Sequence, residues 1–340
     1  MDPSADYGLS ALRRRQAQQF AFFRQYYFTH ESQDAAFHTE LCQFLASLGT
    51  RRGTKLAIAS PRGSAKSTVV SLEYVLYCIC NQLEPYIVLM SHTADQARDN
   101  LSHVKTELMH NERLIRDFPE VCEVGTKPGP PRWRHQEIIT RNGVKLTALG
   151  MDQQARGRRH RQERPSLFIL DDIEGDGSIY TPGVSDRLFD RFTRAILNAG
   201  TSTTNVIVVG TVHYYFSVLA RLVNPQDCPG WTKWLYRSVI SWSVHPELWE
   251  TWAQIYHGQQ EGKEPTGPAA ALKFFQENRI AMLEGTQVLW EARQDYYALM
   301  EKREEIGRAS FDAEYQNEPV NPRDCLFNLE EVHFWDAIPS

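Results

Sequence analysis

Four short apolar runs recur along the chain, Lys55–Ala59, Tyr86–Met90, Leu167–Leu170 and Asn205–Gly210, separated by stretches long enough for helices. Runs of this length without polar alternation belong to strands buried on both faces, as in a parallel sheet covered by helices. The expected fold is therefore α/β, with a mostly parallel central sheet flanked by helices. A chain of 340 residues that is 42% apolar has enough material for one large core or two smaller ones.

The segment after the first run narrows the chemistry. Ser60-Pro61-Arg62-Gly63-Ser64-Ala65-Lys66-Ser67 has the spacing of the phosphate-binding pattern G-x-x-x-x-G-K-[ST], with Ser60 and Ala65 in place of both glycines. Lys66 is placed to reach the β and γ phosphates of a nucleotide, and the Ser67 hydroxyl to ligate Mg²⁺. Thr68 continues the loop into a helix expected from Ser67 to Cys80, whose first N–H groups attract phosphate. Small side chains at 60 and 65 still let the backbone approach an anion, but they lack the conformational freedom of glycine.

The third run ends in acids, Leu-Asp171-Asp172-Ile-Glu174. A carboxylate at that strand end, Asp171, is placed to hold the magnesium, and the pattern resembles a Walker B motif. The residue that polarises the attacking water is Asp172 by position, with Glu174 as a longer-reaching alternative. The fourth run ends at Thr211, a candidate γ-phosphate sensor. The second leads into Ser91-His92-Thr93-Ala94-Asp95-Gln96-Ala97, where Thr93 is a candidate helix cap.

Together these segments resemble the large terminase subunit of tailed bacteriophages, the motor that packages DNA. The residues that carry the resemblance are the loop Pro61 to Thr68 with its Arg62, the S-H-T-A-D-Q-A segment, L-D-D-I-E, V-V-G-T, and Phe311-Asp-Ala-Glu-Tyr-Gln-Asn-Glu-Pro319 near the end. The resemblance implies a P-loop NTPase fold of the ASCE, RecA-like kind with a smaller, mainly helical lid. It implies ATP and Mg²⁺ as ligands, with Ser60 to Thr68 around the phosphates and double-stranded DNA as the substrate moved. The expected partners are a pentameric ring of copies, a portal protein and a small terminase subunit, in the host cytoplasm with no membrane. Residues 311–319 would join the motor to a nuclease domain for which residues 321–340 are too short, so this chain is not expected to cut DNA.

In such proteins an arginine before the Walker B strand reaches the neighbouring subunit's nucleotide, and Arg156-Gly157 holds that place. An arginine finger of this kind contributes roughly a thousandfold or more in rate. Arg158, Arg159 and Arg161 are alternates, and any of them could instead grip DNA phosphates without sequence preference. The net charge of −5 speaks against a uniformly basic DNA binder, yet the middle of the chain is basic. Lys127, Arg132, Arg134, Arg141, Lys145, Arg156, Arg158, Arg159, Arg161 and Arg164 face only Glu137, Asp152 and Glu163 across that stretch.

Three further regions frame these motifs. Residues 1–53 are expected to form a helical segment, including a helix from Ser32 to Leu48, in which His38 or nearby Tyr27 is a candidate to stack on adenine. Residues 54–225 form the ATPase core, with a hairpin at Arg141-Asn142-Gly143 and a loop from Gly125 to Pro131. Residues 226–320 form the lid, whose tryptophans read better as its packing than as a base-stacking platform, and 321–340 lead onward. Helices are expected over Ala269–Glu284 and Glu291–Ile306. No apolar run approaches the roughly 18 residues of a membrane span, and the six scattered cysteines read as buried thiols. The competing readings are a helicase-like or remodelling ATPase and a nucleotide-binding scaffold without turnover.

Overall fold

The computed structural model describes residues 3–29, 33–122, 132–175, 182–259 and 266–320. Its centre is an eight-stranded sheet. In chain order the strands are β1 (Lys55–Ala59), β2 (Tyr86–Ser91), β3 (Arg132–Arg134), β4 (Glu137–Ile139), β5 (Lys145–Gly150), β6 (Leu167–Asp171), β7 (Asn205–Gly210) and β8 (Thr232–Leu235). Their spatial order is β3-β4-β5-β2-β6-β7-β1-β8. From β5 to β8 every pairing is parallel, while β4 pairs antiparallel with both β3 and β5. The β4–β5 hairpin turns at Gly143, which has φ of +90°.

The apolar runs are explained by burial on both faces. Along β1, Leu56 and Ile58 point into one core and Ala57 and Ala59 into the other; β6 and β7 divide their residues in the same alternation. The first core is covered by helices Phe20–Tyr27, Ala36–Ser47, Tyr74–Cys80 and Ala94–His110, and the second by Pro182–Phe192 and Val218–Val223. Each Val, Leu or Ile side chain among them contributes about 1.5–3 kcal/mol when fully buried. Among the described residues, Cys42, Cys78, Cys80, Cys122 and Cys228 are free and buried. No described helix is long and apolar enough to cross a membrane.

A third core lies in the last hundred residues. Trp249 and Trp252 pack with Phe275, Tyr296, Leu299, Met300, Phe311 and Tyr315, and the Trp249 indole N–H donates to the Met282 carbonyl at 2.9 Å. Helices Pro246–Tyr256, Pro268–Met282, Tyr296–Ile306 and Arg308–Gln316 build this lid around a two-stranded ribbon, β9 (Val239–Ser241) and β10 (Gln287–Val288). Two expectations shift. The sheet continues past residue 225, because β8 pairs with β1, so the lid begins after Leu235. The helix expected from Glu291 starts at Tyr296, where Asp295 caps it by accepting the Ala298 N–H. The loop expected over Gly125–Pro131 lies outside the described residues.

The helix after the phosphate loop also departs from a uniform α-helix. Thr68–Glu73 forms a π-helical stretch before α-helix resumes over Tyr74–Cys80. Such stretches are rare and gather at functional sites. Glu73 at its end forms a buried ion pair with Arg24, whose guanidinium also reaches Asp34 at 2.9 Å and the Cys42 thiol at 3.4 Å. The amino-terminal helices are thereby tied to the loop helix. Removing one member of a buried pair strands the other charge, at a cost of about 3–5 kcal/mol. Arg24→Ala is expected to lose stability of that order in urea denaturation; a loss below about 1 kcal/mol would show that the pair does not hold the two layers together.

Candidate nucleotide site

The carboxyl ends of β6, β7 and β1 lie side by side, with β7 between the other two. Crevices outside the carboxyl ends of parallel strands are where α/β sheets bind ligands. Each strand delivers one polar group there: Lys66 from the loop after β1, Asp171 as the last residue of β6, and Thr211 directly after β7.

The loop is braced from several sides. Gly63 at its apex has φ of +80°, and Ala65, in the second glycine's place, has φ of +58°. The alanine therefore adopts the left-handed conformation that glycine would take without strain, which costs an L-residue about 1–2 kcal/mol. Ser60, in the first glycine's place, uses its hydroxyl to bond the Ser64 hydroxyl at 2.8 Å across the base of the loop. Pro61 is buried, and Arg62 reaches out to the Glu314 carboxylate at 3.0 Å while its own N–H donates to the Glu314 carbonyl.

Lys66 is buried, and its ammonium donates to the Thr211 hydroxyl at 2.8 Å; that hydroxyl donates in turn to the Ser60 carbonyl at 3.1 Å. Asp171 receives two hydroxyls, Ser67 at 2.9 Å on one oxygen and Ser71 at 2.7 Å on the other. Burial and the neighbouring Asp172 charge push its pKa up to about 6, against the opposing pull of Ser71, Ser67 and Lys66. Ser71 belongs to no motif, so sequence reasoning passes over it, although it stands four residues beyond Ser67 and so on the same side of the helix.

The donor chemistry fits Mg²⁺. A hydroxyl and a carboxylate 2.9 Å apart are hard oxygen ligands, and this ion takes one or two protein groups while phosphates and waters fill its octahedron. Among the described residues no group of three or more His, Cys, Asp or Glu side chains could hold a metal alone.

The other acids divide in role. Asp172 is exposed, has φ of +44°, and is held by its backbone: its N–H donates to Val209 and its carbonyl accepts from the His92 N–H. Its carboxylate lies over Gly210, where an added Cβ would come within 2.9 Å of Oδ1 and oblige the carboxylate to shift. Glu174 turns elsewhere and caps the helix Val218–Val223, accepting the N–H of Val218 at 2.8 Å and of Leu219 at 3.3 Å. Burial pushes its pKa up to about 7 despite those two bonds.

The expected stacking of adenine on His38 finds no open ring face. His38 is 1% exposed, packed on Phe37 at 3.8 Å and Trp290 at 4.5 Å between ring centroids. Its Nδ1 accepts the Ala35 N–H at 3.0 Å, which puts the proton on Nε2 for donation to the Ser64 carbonyl at 3.1 Å. The histidine thus braces the loop. Tyr27 is likewise buried, its hydroxyl donating to Asp117. Arg156 is exposed and donates to the Arg194 carbonyl. Thr93 does cap the helix Ala94–His110, accepting the Gln96 N–H.

Comparison with solved structures adds two likenesses. The HK97 bacteriophage large terminase is 16% identical with a TM-score of 0.47, over 82% of this chain and 55% of that one. The ATPase domain of the Thermus phage P74-26 large terminase, in a mutant form, is 14% identical with a TM-score of 0.38, over 85% of this chain and 95% of that one. Both are phage large terminases. The chain spans about half the length of the HK97 protein. No family model matches, and no curated protein matches.

The local geometry supports two tests. Ala65→Gly should raise stability by about 0.5–1 kcal/mol, because relief of the left-handed strain outweighs the added freedom of the unfolded chain; a destabilised variant would mean that the alanine is not strained. For Glu174, the folded pKa lies above the ordinary value of 4.5, so the folded state holds its proton more tightly. The associated stability is full at low pH and lost as pH rises from about 4.5 to about 7. Between pH 5 and 8 the wild type should therefore lose on the order of 2 kcal/mol relative to Glu174→Gln in urea titrations; parallel pH profiles would refute the buried-carboxylate assignment.

Proposed function

We propose that this chain is the ATPase motor domain of a phage large terminase, hydrolysing ATP with Mg²⁺ to drive double-stranded DNA into a procapsid. The observation that carries the reading is the convergence of Lys66, Ser67, Asp171 and Thr211 at the carboxyl ends of three adjacent strands, joined by hydrogen bonds of 2.8–2.9 Å. The terminase-like sequence segments, spread from the loop to residue 319, give that convergence its family.

The roles derive from the chemistry of each group. Amides at the start of the loop helix and the Lys66 ammonium receive the phosphates, and Lys66 exchanges the Thr211 hydroxyl for phosphate oxygens. Arg62 adds positive charge from the loop apex. Ser67 and Asp171 would hold Mg²⁺, which neutralises charge on the β and γ phosphates when bound. Asp172 orients the attacking water, since Glu174 has both oxygens committed to backbone N–H groups. Thr211 reads the γ-phosphate position. Arg156 completes the site of the next subunit, a role compatible with its exposure and with its bond to a carbonyl rather than to an acid.

On this reading the chain works in a pentameric ring on a portal, with a small terminase subunit as a further partner, in the host cytoplasm. The basic residues between Arg134 and Arg164 supply contacts to DNA phosphate. A scaffold that binds nucleotide without turnover is the second reading. It is favoured by the short side chain of Asp172 at the base position and the capping duty of Glu174.

Turnover measured with Mg²⁺ and DNA at high protein concentration separates the two. The wild type should hydrolyse ATP and Lys66→Ala should not, whereas nucleotide binding without any turnover would establish the scaffold. Arg156→Ala should fall roughly a thousandfold and regain activity when mixed with Lys66→Ala subunits, because the two lesions then sit in different interfaces. Failure of the mixture to recover would remove Arg156 from the neighbour's site.

A further inference from the structure

The helix Arg308–Gln316 ends at Asn317, which sits in the left-handed conformation with φ of 54° and ψ of 33°. Its side chain is buried, and both ends of the amide are used. Oδ1 accepts the Val212 N–H at 2.8 Å, and Nδ2 donates to the Tyr236 carbonyl at 2.7 Å. Val212 is next in the chain to Thr211, the residue that bonds Lys66 and Ser60. Tyr236 donates its own N–H to the carbonyl of Ala59, the last residue of β1 before the loop. One buried amide therefore bridges the exits of β7 and β8, and through Tyr236 it is linked to the end of β1, where the phosphate loop begins.

The adjoining residues hold this amide in place. Gln316 pairs with both backbone groups of Val239, and the Ser238 N–H donates to the Tyr315 carbonyl at 2.8 Å. Glu314 takes both the N–H and the guanidinium of Arg62. Phe311 and Tyr315 root the helix in the lid core. A segment that only joined two domains would need no buried amide between the exits of two strands. The side chain that lies there is fixed by its neighbours, and the group it fixes is the peptide that carries Thr211.

We infer that Asn317 is a positioning residue for the phosphate-reading pair Thr211 and Lys66, so that residues 311–319 are a built part of the nucleotide site. The inference rests on the proposed ATP chemistry. Asn317 touches no reacting atom. It acts through the Val212 peptide, and a displacement of about 1 Å at that peptide would take the Thr211 hydroxyl out of reach of Lys66; misplacement on this scale costs about a hundredfold in rate.

The test uses the full chain, with fluorescent ATP and ADP analogues and Mg²⁺ as probes. Asn317→Gly keeps the left-handed backbone and removes the amide, whereas Asn317→Asp, a buried acid facing the Tyr236 carbonyl and so favoured in its protonated form, offers an oxygen to the Val212 N–H and an O–H to that carbonyl. The wild type should prefer ATP to ADP. Asn317→Gly should lose roughly tenfold of that preference with ADP affinity within about twofold of the wild type, and about a hundredfold in turnover. Asn317→Asp should recover most of both. A glycine variant with the wild-type preference overturns the inference, as does an aspartate variant no better than glycine. The aspartate variant measured against the wild type keeps the comparison decisive if the glycine variant does not fold: retained preference supports the role, and lost preference refutes it. A wild type that binds both nucleotides equally removes Thr211 and Lys66 as a phosphate reader and this inference with them; one that binds neither overturns the ATP reading itself.

Discussion

The Asp171 carboxylate, gripped by Ser67 and Ser71, is the interaction on which the arrangement of this site depends. It ties the end of β6 to the first turns of the helix after β1, across the intervening strand β7. A buried carboxylate without such partners would be costly, and the two hydroxyls satisfy both of its oxygens. Because Ser67 and Ser71 lie four residues apart, the helix must present one side to the strand end, and the π-helical stretch Thr68–Glu73 lies across that contact. The buried Arg24–Glu73 pair then fixes the far end of the stretch. Electrostatics at the strand end and packing in the amino-terminal layer therefore constrain the same six residues.

Much of this architecture is legible in the amino-acid sequence. The apolar runs form β1, β2, β6 and β7 because burial on both faces demands apolar residues at every position, and that demand is local to each strand. The pattern around Lys66 and Asp171 is equally plain, since its residue types and spacing match those that binding of phosphate and a metal would require. Strand β8 is harder: Thr232–Leu235 is short, lies at the sheet edge and is only partly buried, so it carries no continuous apolar signature. His38 passes for a base-stacking group because a histidine on a helix gives no sign of what will cover it. Here Trp290 comes from 252 residues further along the chain to pack against it. Glu174 cannot be separated from Asp172 by sequence, because its partners are backbone N–H groups of a helix more than forty residues away.

The lid presents the same contrast between composition and placement. Its tryptophans announce a hydrophobic cluster, and Trp249 and Trp252 do fill one with Phe275 and Tyr296. Nothing in their spacing indicates that the cluster also holds the helix whose end reaches back to β7 and the phosphate loop. Contacts of that kind are made by single polar side chains over long sequence separations, Asn317 to Val212 and Glu314 to Arg62, and they leave no periodic trace.

The exit of β1 has a bearing on how such a chain can be dissected. Ala59 gives its carbonyl to Tyr236, and Tyr236 gives its own carbonyl to Asn317. A boundary drawn by composition, after the last apolar strand run or just before residue 311, would pass through this relay. It would expose one or more of its backbone groups and leave a fragment that retains the phosphate loop and the acidic strand end yet lacks the wall against which they are set. The smallest piece able to hold the site in this form extends through residue 317, and motif content is a poor guide to where to cut.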